Sequence, residues 1–94
     1  MAGYWMVRGG DIKDEQALQQ YAEQWPPIAA RFGAEIIAGK GAFETREGGH
    51  YPRHLIVRFE SYEQALACYD DPEYQRIKVL VDQAYERELS ILEG

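Results

Sequence analysis

The chain has 94 residues, 46% of them hydrophobic and 28% charged, with a net charge of -6 and one cysteine, Cys68. That length and balance describe one soluble domain, residues 1–94, whose modest core gains from a partner, and the single cysteine rules out an internal disulfide and fits a reducing compartment. The acidity argues against nucleic acid and anionic membrane surfaces, which need clustered Lys and Arg, and with no leader and no apolar run near 18 residues the expected location is the cytoplasm, away from any membrane.

Gly3 to Arg8 (GYWMVR) is aromatic and branched and ends at Gly9-Gly10, a strand signature. Asp11 or Asp14 can cap the helix that follows, whose apolar stripe is Leu18, Tyr21, Ala22, Trp25, Ile28, Ala29 and Phe32. Pro26-Pro27 predicts a kink or two short helices, because Pro26 lacks an N–H and crowds the carbonyl of Ala22. Gly33 is the expected C-terminal cap. Ala34 to Arg46 reads as a strand broken by a bulge or bend at Gly39-Lys40-Gly41, followed by a loop from Glu47 to Pro52.

Arg53 to Phe59 is the strongest strand. Ser61 with Gln64 opens a helix carrying Tyr62, Ala65, Leu66 and Tyr69. Asp71-Pro72 starts another, with Asp as cap and Pro at the first helical position, carrying Tyr74, Ile77, Leu80, Val81 and Ala84. Arg87 to Glu93 closes the chain with Leu89 and Ile91 on one face. The order is β-α-β-β-α-β with the second helix in two pieces. That is the ferredoxin-like plan, an α+β fold with an antiparallel sheet and helices on one face.

Side chains alternate along strands. Leu55, Val57 and Phe59 are uniformly apolar, so they and Trp5 and Val7 are assigned to the helix side. Tyr4, Met6, Arg8, His54, Ile56 and Arg58 then share the open face. That set is too apolar for bare water and too polar for a dry core. A second copy packed sheet to sheet would enclose it, leaving room for a small ligand.

His54 and Arg58 fall on one face, about 13 Å apart along the strand. His could move a proton and Arg hold an anion; the competing reading is a pair that hydrogen-bonds across a subunit interface. His50 and His54 have no third ligand, so no metal is expected. Arg53 is expected to pair with an acid such as Glu47, and Tyr69 and Tyr74 to be core aromatics with hydroxyls tied to backbone. Cys68 reads as a small buried hydrophobe. Gly39 and Gly41 precede no helix, so they do not read as a phosphate loop. RNA-binding domains share the β-α-β-β-α-β plan, but their stacking positions would fall on His54 and Ile56, and the charge is wrong.

The run Tyr69-Asp70-Asp71-Pro72-Glu73-Tyr74-Gln75, preceded by Arg53 and Phe59-Glu60-Ser61, resembles the small bacterial proteins of the domain of unknown function 1330 family. Ala65, Tyr69, Pro72 and Tyr74 match that family's Ala-x-x-Trp-Tyr-x-Ser-Pro-x-Tyr run. Phe32-Gly33-Ala34, Glu47-Gly48 and Glu93-Gly94 match as well. Cys68 stands where Trp is common, Arg58 where Glu is common, Glu60 where Pro is common, and Ala34 replaces a second Gly. The resemblance implies the dimeric α/β barrel superfamily, in which two ferredoxin-like chains pack their sheets face to face. Relatives there include quinone-forming monooxygenases, lactone isomerases, heme-degrading enzymes and dye-decolourising peroxidases. The family itself supplies no activity to carry over.

Two expectations follow. The first is a homodimer binding a small organic, anionic or carbonyl molecule between the sheets, with Arg8 and Arg58 as holders and His54 as acid or base. Such a protein could be a cofactor-free enzyme of monooxygenase or isomerase type. The second is a non-catalytic dimeric interaction or stress-related module with no ligand chemistry. Nothing in the composition suggests a cofactor.

Overall fold

In the computed structural model, which describes Met1 to Gly94, the alternating run at the N-terminus forms the inner strand β1 (Gly3–Gly9). It pairs antiparallel on both sides, with β3 (Arg53–Phe59) and with β4 (Arg87–Glu93). The short strand β2 (Glu35–Ala38) joins the free edge of β3, giving the order β2-β3-β1-β4. Three helices connect them: α1 (Glu15–Phe32), α2 (Tyr62–Asp70) and α3 (Pro72–Ala84). The α+β, ferredoxin-like plan read from the sequence is the observed one. No helix is long and apolar enough to cross a membrane.

The caps follow from local chemistry. Asp14 accepts from Ala17 N at 3.0 Å, and Ser61 Oγ accepts from Gln64 N at 3.1 Å. Asp71 accepts from the N–H groups of Glu73 and Tyr74, satisfying donors a helix start would otherwise leave open. Gly33 ends α1 at φ 63°, and the Ala34 N–H reaches back to the Ala29 carbonyl at 2.9 Å. Arg31 forks onto the Asp71 carboxylate at 2.8 and 3.3 Å, tying the end of α1 to the junction of α2 and α3.

Trp5 organises the core. Its indole N–H donates to the Ala65 carbonyl at 2.9 Å, pinning α2 to the sheet. Its ring meets Trp25, Phe59, Tyr69 and Tyr74 at centroid distances of 5.1–5.9 Å, the range of favourable tilted and edge contacts. Val57, Phe59, Cys68, Tyr74 and Ile77 complete the cluster, Cys68 being a buried free thiol.

Two expectations about local structure fail. Of the two outcomes expected at Pro26-Pro27, a kink or two short helices, it is the division into two that fails: α1 runs as one 18-residue helix. The two prolines and the carbonyl-bearing residues Ala22 and Glu23 are exposed, so the unmade bonds face water. Trp25 and Ile28, packed in the core on either side, hold the helix across the gap. The second strand stops at Ala38 instead of resuming after the glycines. Gly39 sits at φ 125°, where a side chain would collide with the backbone of His54, and it turns the chain off the sheet. Residues 41–50 are all exposed and find no neighbouring strand to pair with.

Candidate functional site

The sheet register decides which side chains share the open face. Tyr4 lies opposite Arg58, Met6 opposite Ile56, and Arg8 opposite His54. All six residues assigned to that face from alternation are therefore neighbours on it, while Trp5 and Val7 are buried beneath the helices. The β4 register adds Leu92 beside Tyr4, Ser90 beside Met6 and Glu88 beside Arg8. These three were not singled out from sequence, although grouping Leu89 and Ile91 on one face puts them on the other by the same alternation.

The face has an apolar middle and polar flanks. Met6 and Leu92 remain 40% and 41% exposed. A hollow of about 320 Å³ lies among Met6, Arg8, His54, Ile56, Glu88 and Ser90. Arg8 is not a free cation there: its Nε donates to Glu88 Oε1 at 2.6 Å, and its guanidinium lies 4.2 Å from the centre of the Tyr51 ring. The Glu88 hydrogen bond raises its pKa further above the ordinary value. Arg58 makes no ion pair; its cross-strand neighbours are Tyr4 and Glu35. His54 packs against the Phe43 ring at 5.0 Å, and its Nε2 is shielded from water with no hydrogen-bond partner. A buried polar atom left unpaired is uncommon and calls for a reason.

The remaining singled-out residues lie elsewhere. Arg53 does not pair with Glu47; its guanidinium sits over the Tyr85 ring at 5.0 Å, because it points to the helix side with Leu55 and Val57. The Tyr74 hydroxyl is bonded to side chains, not backbone: it accepts from Arg87 Nη2 at 2.6 Å and meets the Tyr21 hydroxyl at 3.0 Å. Tyr69 packs edge-on against Trp5, with no hydrogen bond from its hydroxyl. Phe59 is buried in the core and Pro72 starts α3. His50 pairs with Asp11 at 3.0 Å, and no three His, Cys, Asp or Glu side chains are grouped as a metal site would require.

A four-stranded antiparallel sheet with helices on one face and an exposed, partly apolar second face defines a ferredoxin-like protein. Within that class the chain belongs to the family described as Domain of unknown function (DUF1330), whose profile matches residues 2–94. Among solved structures it is similar to a protein of unknown function from Rhodopseudomonas palustris, with a TM-score of 0.73 and 17% identity over 99% of this chain and 82% of that one. A dimeric ferredoxin-like protein from Jannaschia sp. matches with a TM-score of 0.73 and 13% identity over the whole of both chains. A dimeric ferredoxin-like protein from Thermobifida fusca matches with a TM-score of 0.64 and 11% identity, over 100% of this chain and 92% of that one. Comparison with curated proteins gives no match.

Proposed function

We propose that the protein works as a homodimer, its open sheet faces packed together, and that it binds a small organic anion between them. The observation carrying this reading is the face itself: apolar at Met6, Ile56 and Leu92, polar at Arg8, His54, Arg58 and Glu88. Water is a poor partner for the first group and a dry interface a poor partner for the second. Two structural neighbours are described as dimeric ferredoxin-like proteins, which supports the pairing.

In this reading Arg58, which makes no ion pair although Glu35 lies opposite it on β2, receives the anionic group. Arg8 is already neutralised by Glu88, so that pair sets the register between subunits. His54 is the acid–base candidate: it borders the hollow on this face and its Nε2 has no hydrogen-bond partner. Proton transfer of that kind would suit a cofactor-free isomerase; a cofactor-free monooxygenase is the related alternative. A second reading, a dimeric module without ligand chemistry, is favoured by the Arg8–Glu88 pair, which satisfies its charge without any ligand. An NMR screen of small carboxylates and carbonyl compounds separates the two. The first reading expects shifts at His54 and Arg58 that vanish in Arg58→Ala. A dimer with no response at those residues leaves the second.

A further inference from the structure

We infer that each subunit carries a second binding site, on the helix side of the sheet, for a compact aromatic or aliphatic carboxylate. A cavity of about 390 Å³ lies between α1 and the sheet. Its volume falls within the range of small-ligand pockets. Trp5, Tyr21, Trp25, Leu55 and Val57 supply apolar walls.

The charge lining it is one-sided. Lys40, Arg53 and Arg87 border the cavity, and no Asp or Glu does, in a chain where acids outnumber basic residues 16 to 10. The sheet explains how two of these arrive together. Arg53 and Arg87 lie opposite Gly9 from its two sides, so they share one cross-strand row on the helix-facing surface. Their backbones are two strand spacings apart, about 10 Å. The Tyr85 ring fills the place a side chain at Gly9 would take, and Arg53 rests on that ring.

Neither arginine has a carboxylate within ion-pair distance. Arg87 is the more buried, and its hydrogen bond is to the Tyr74 hydroxyl. A guanidinium out of water is normally matched to an anion, preferably through two parallel N–H donors. Burial opposes its charge, but the adjacent Tyr74 and Tyr21 more than offset that, so Arg87 stays protonated. Tyr74 is fully buried and the Tyr21 oxygen is the one acceptor its O–H has, since a guanidinium only donates, so we assign the 3.0 Å bond as Tyr74 donating to Tyr21. The Tyr21 O–H is then free to donate into the cavity it lines. Arg87 and Tyr21 thus offer donors to a carboxylate, and the indole walls accept its apolar body.

The test uses the indoles as reporters. Titration of 2-naphthoate into the wild-type protein should quench tryptophan emission saturably at sub-millimolar concentration, while neutral 2-naphthamide binds at least about tenfold more weakly. Arg87→Met should lose about tenfold or more in naphthoate affinity, and Tyr21→Phe, which keeps the ring, should lose severalfold. If Arg87→Met fails to fold, Tyr21→Phe decides. Equal binding of acid and amide, no saturable quenching, or unchanged naphthoate affinity in the variants overturns the proposal. The site lies within one chain, so its failure is distinct from failure of the intersheet reading, which uses His54 and Arg58.

Discussion

Replacing Met6 by Ala tests the open face at its centre. Met6 points away from the core and keeps 40% of its surface exposed. Full burial of a methionine side chain is worth about 1.5–3 kcal/mol. Only the exposed 40% remains for a partner to cover, so one copy contributes about 0.6–1.2 kcal/mol. A twofold dimer uses the residue twice, giving about 1.2–2.4 kcal/mol, or a seven- to fiftyfold weaker dimer. Alanine retains part of the contact, which places the expected value near tenfold. Sedimentation equilibrium across a dilution series reads the dissociation constant, and circular dichroism checks that the fold is intact. A constant unchanged within about twofold would show that this face is not the interface.

Three further outcomes concern the fold beneath the site. Ile77 is 0% exposed, so Ile77→Ala should cost about 2–5 kcal/mol in urea unfolding, and a loss below about 1 kcal/mol would contradict the packing described. Asp71 is held below its ordinary 3.8, chiefly by the Arg31 hydrogen bond and also by the Tyr74 and Glu73 N–H groups. Its contribution is therefore complete above that value and lost as pH falls through the lowered one. Wild type should lose more stability than Asp71→Asn between about pH 5 and pH 2, and parallel profiles would refute the pairing. Burial pushes the Cys68 thiol up to about 12, with Asp71 adding to the effect. Native protein at neutral pH should resist iodoacetamide until unfolded, whereas rapid labelling would mean the α2 face opens.

The features legible in sequence are those decided within a few residues. Ser61 with Gln64, Asp71-Pro72 and Gly33 each mark a helix end because a cap needs only local atoms. Alternation along Arg53–Phe59 separates the two sheet faces because Leu55, Val57 and Phe59 are all apolar. What failed depended on distant partners. The run after Gly39 has strand-like residues, but Gly39, pressed against the backbone of His54 at φ 125°, turns the chain off β3. Pro26-Pro27 would end an isolated helix, yet Trp25 and Ile28 are held by the core. The partner of the Tyr74 hydroxyl is Arg87, thirteen residues on and across the α3–β4 junction. The row of Arg53, Gly9 and Arg87 emerges only once the register of both strand pairs is known.

The central claim is that two copies of this chain close their open faces on each other. Light scattering on the purified protein at micromolar concentration measures it directly. The account predicts a particle of twice the 10.8 kDa chain mass. A stable species at the single-chain mass would leave Met6, Ile56 and Leu92 facing water and contradict it.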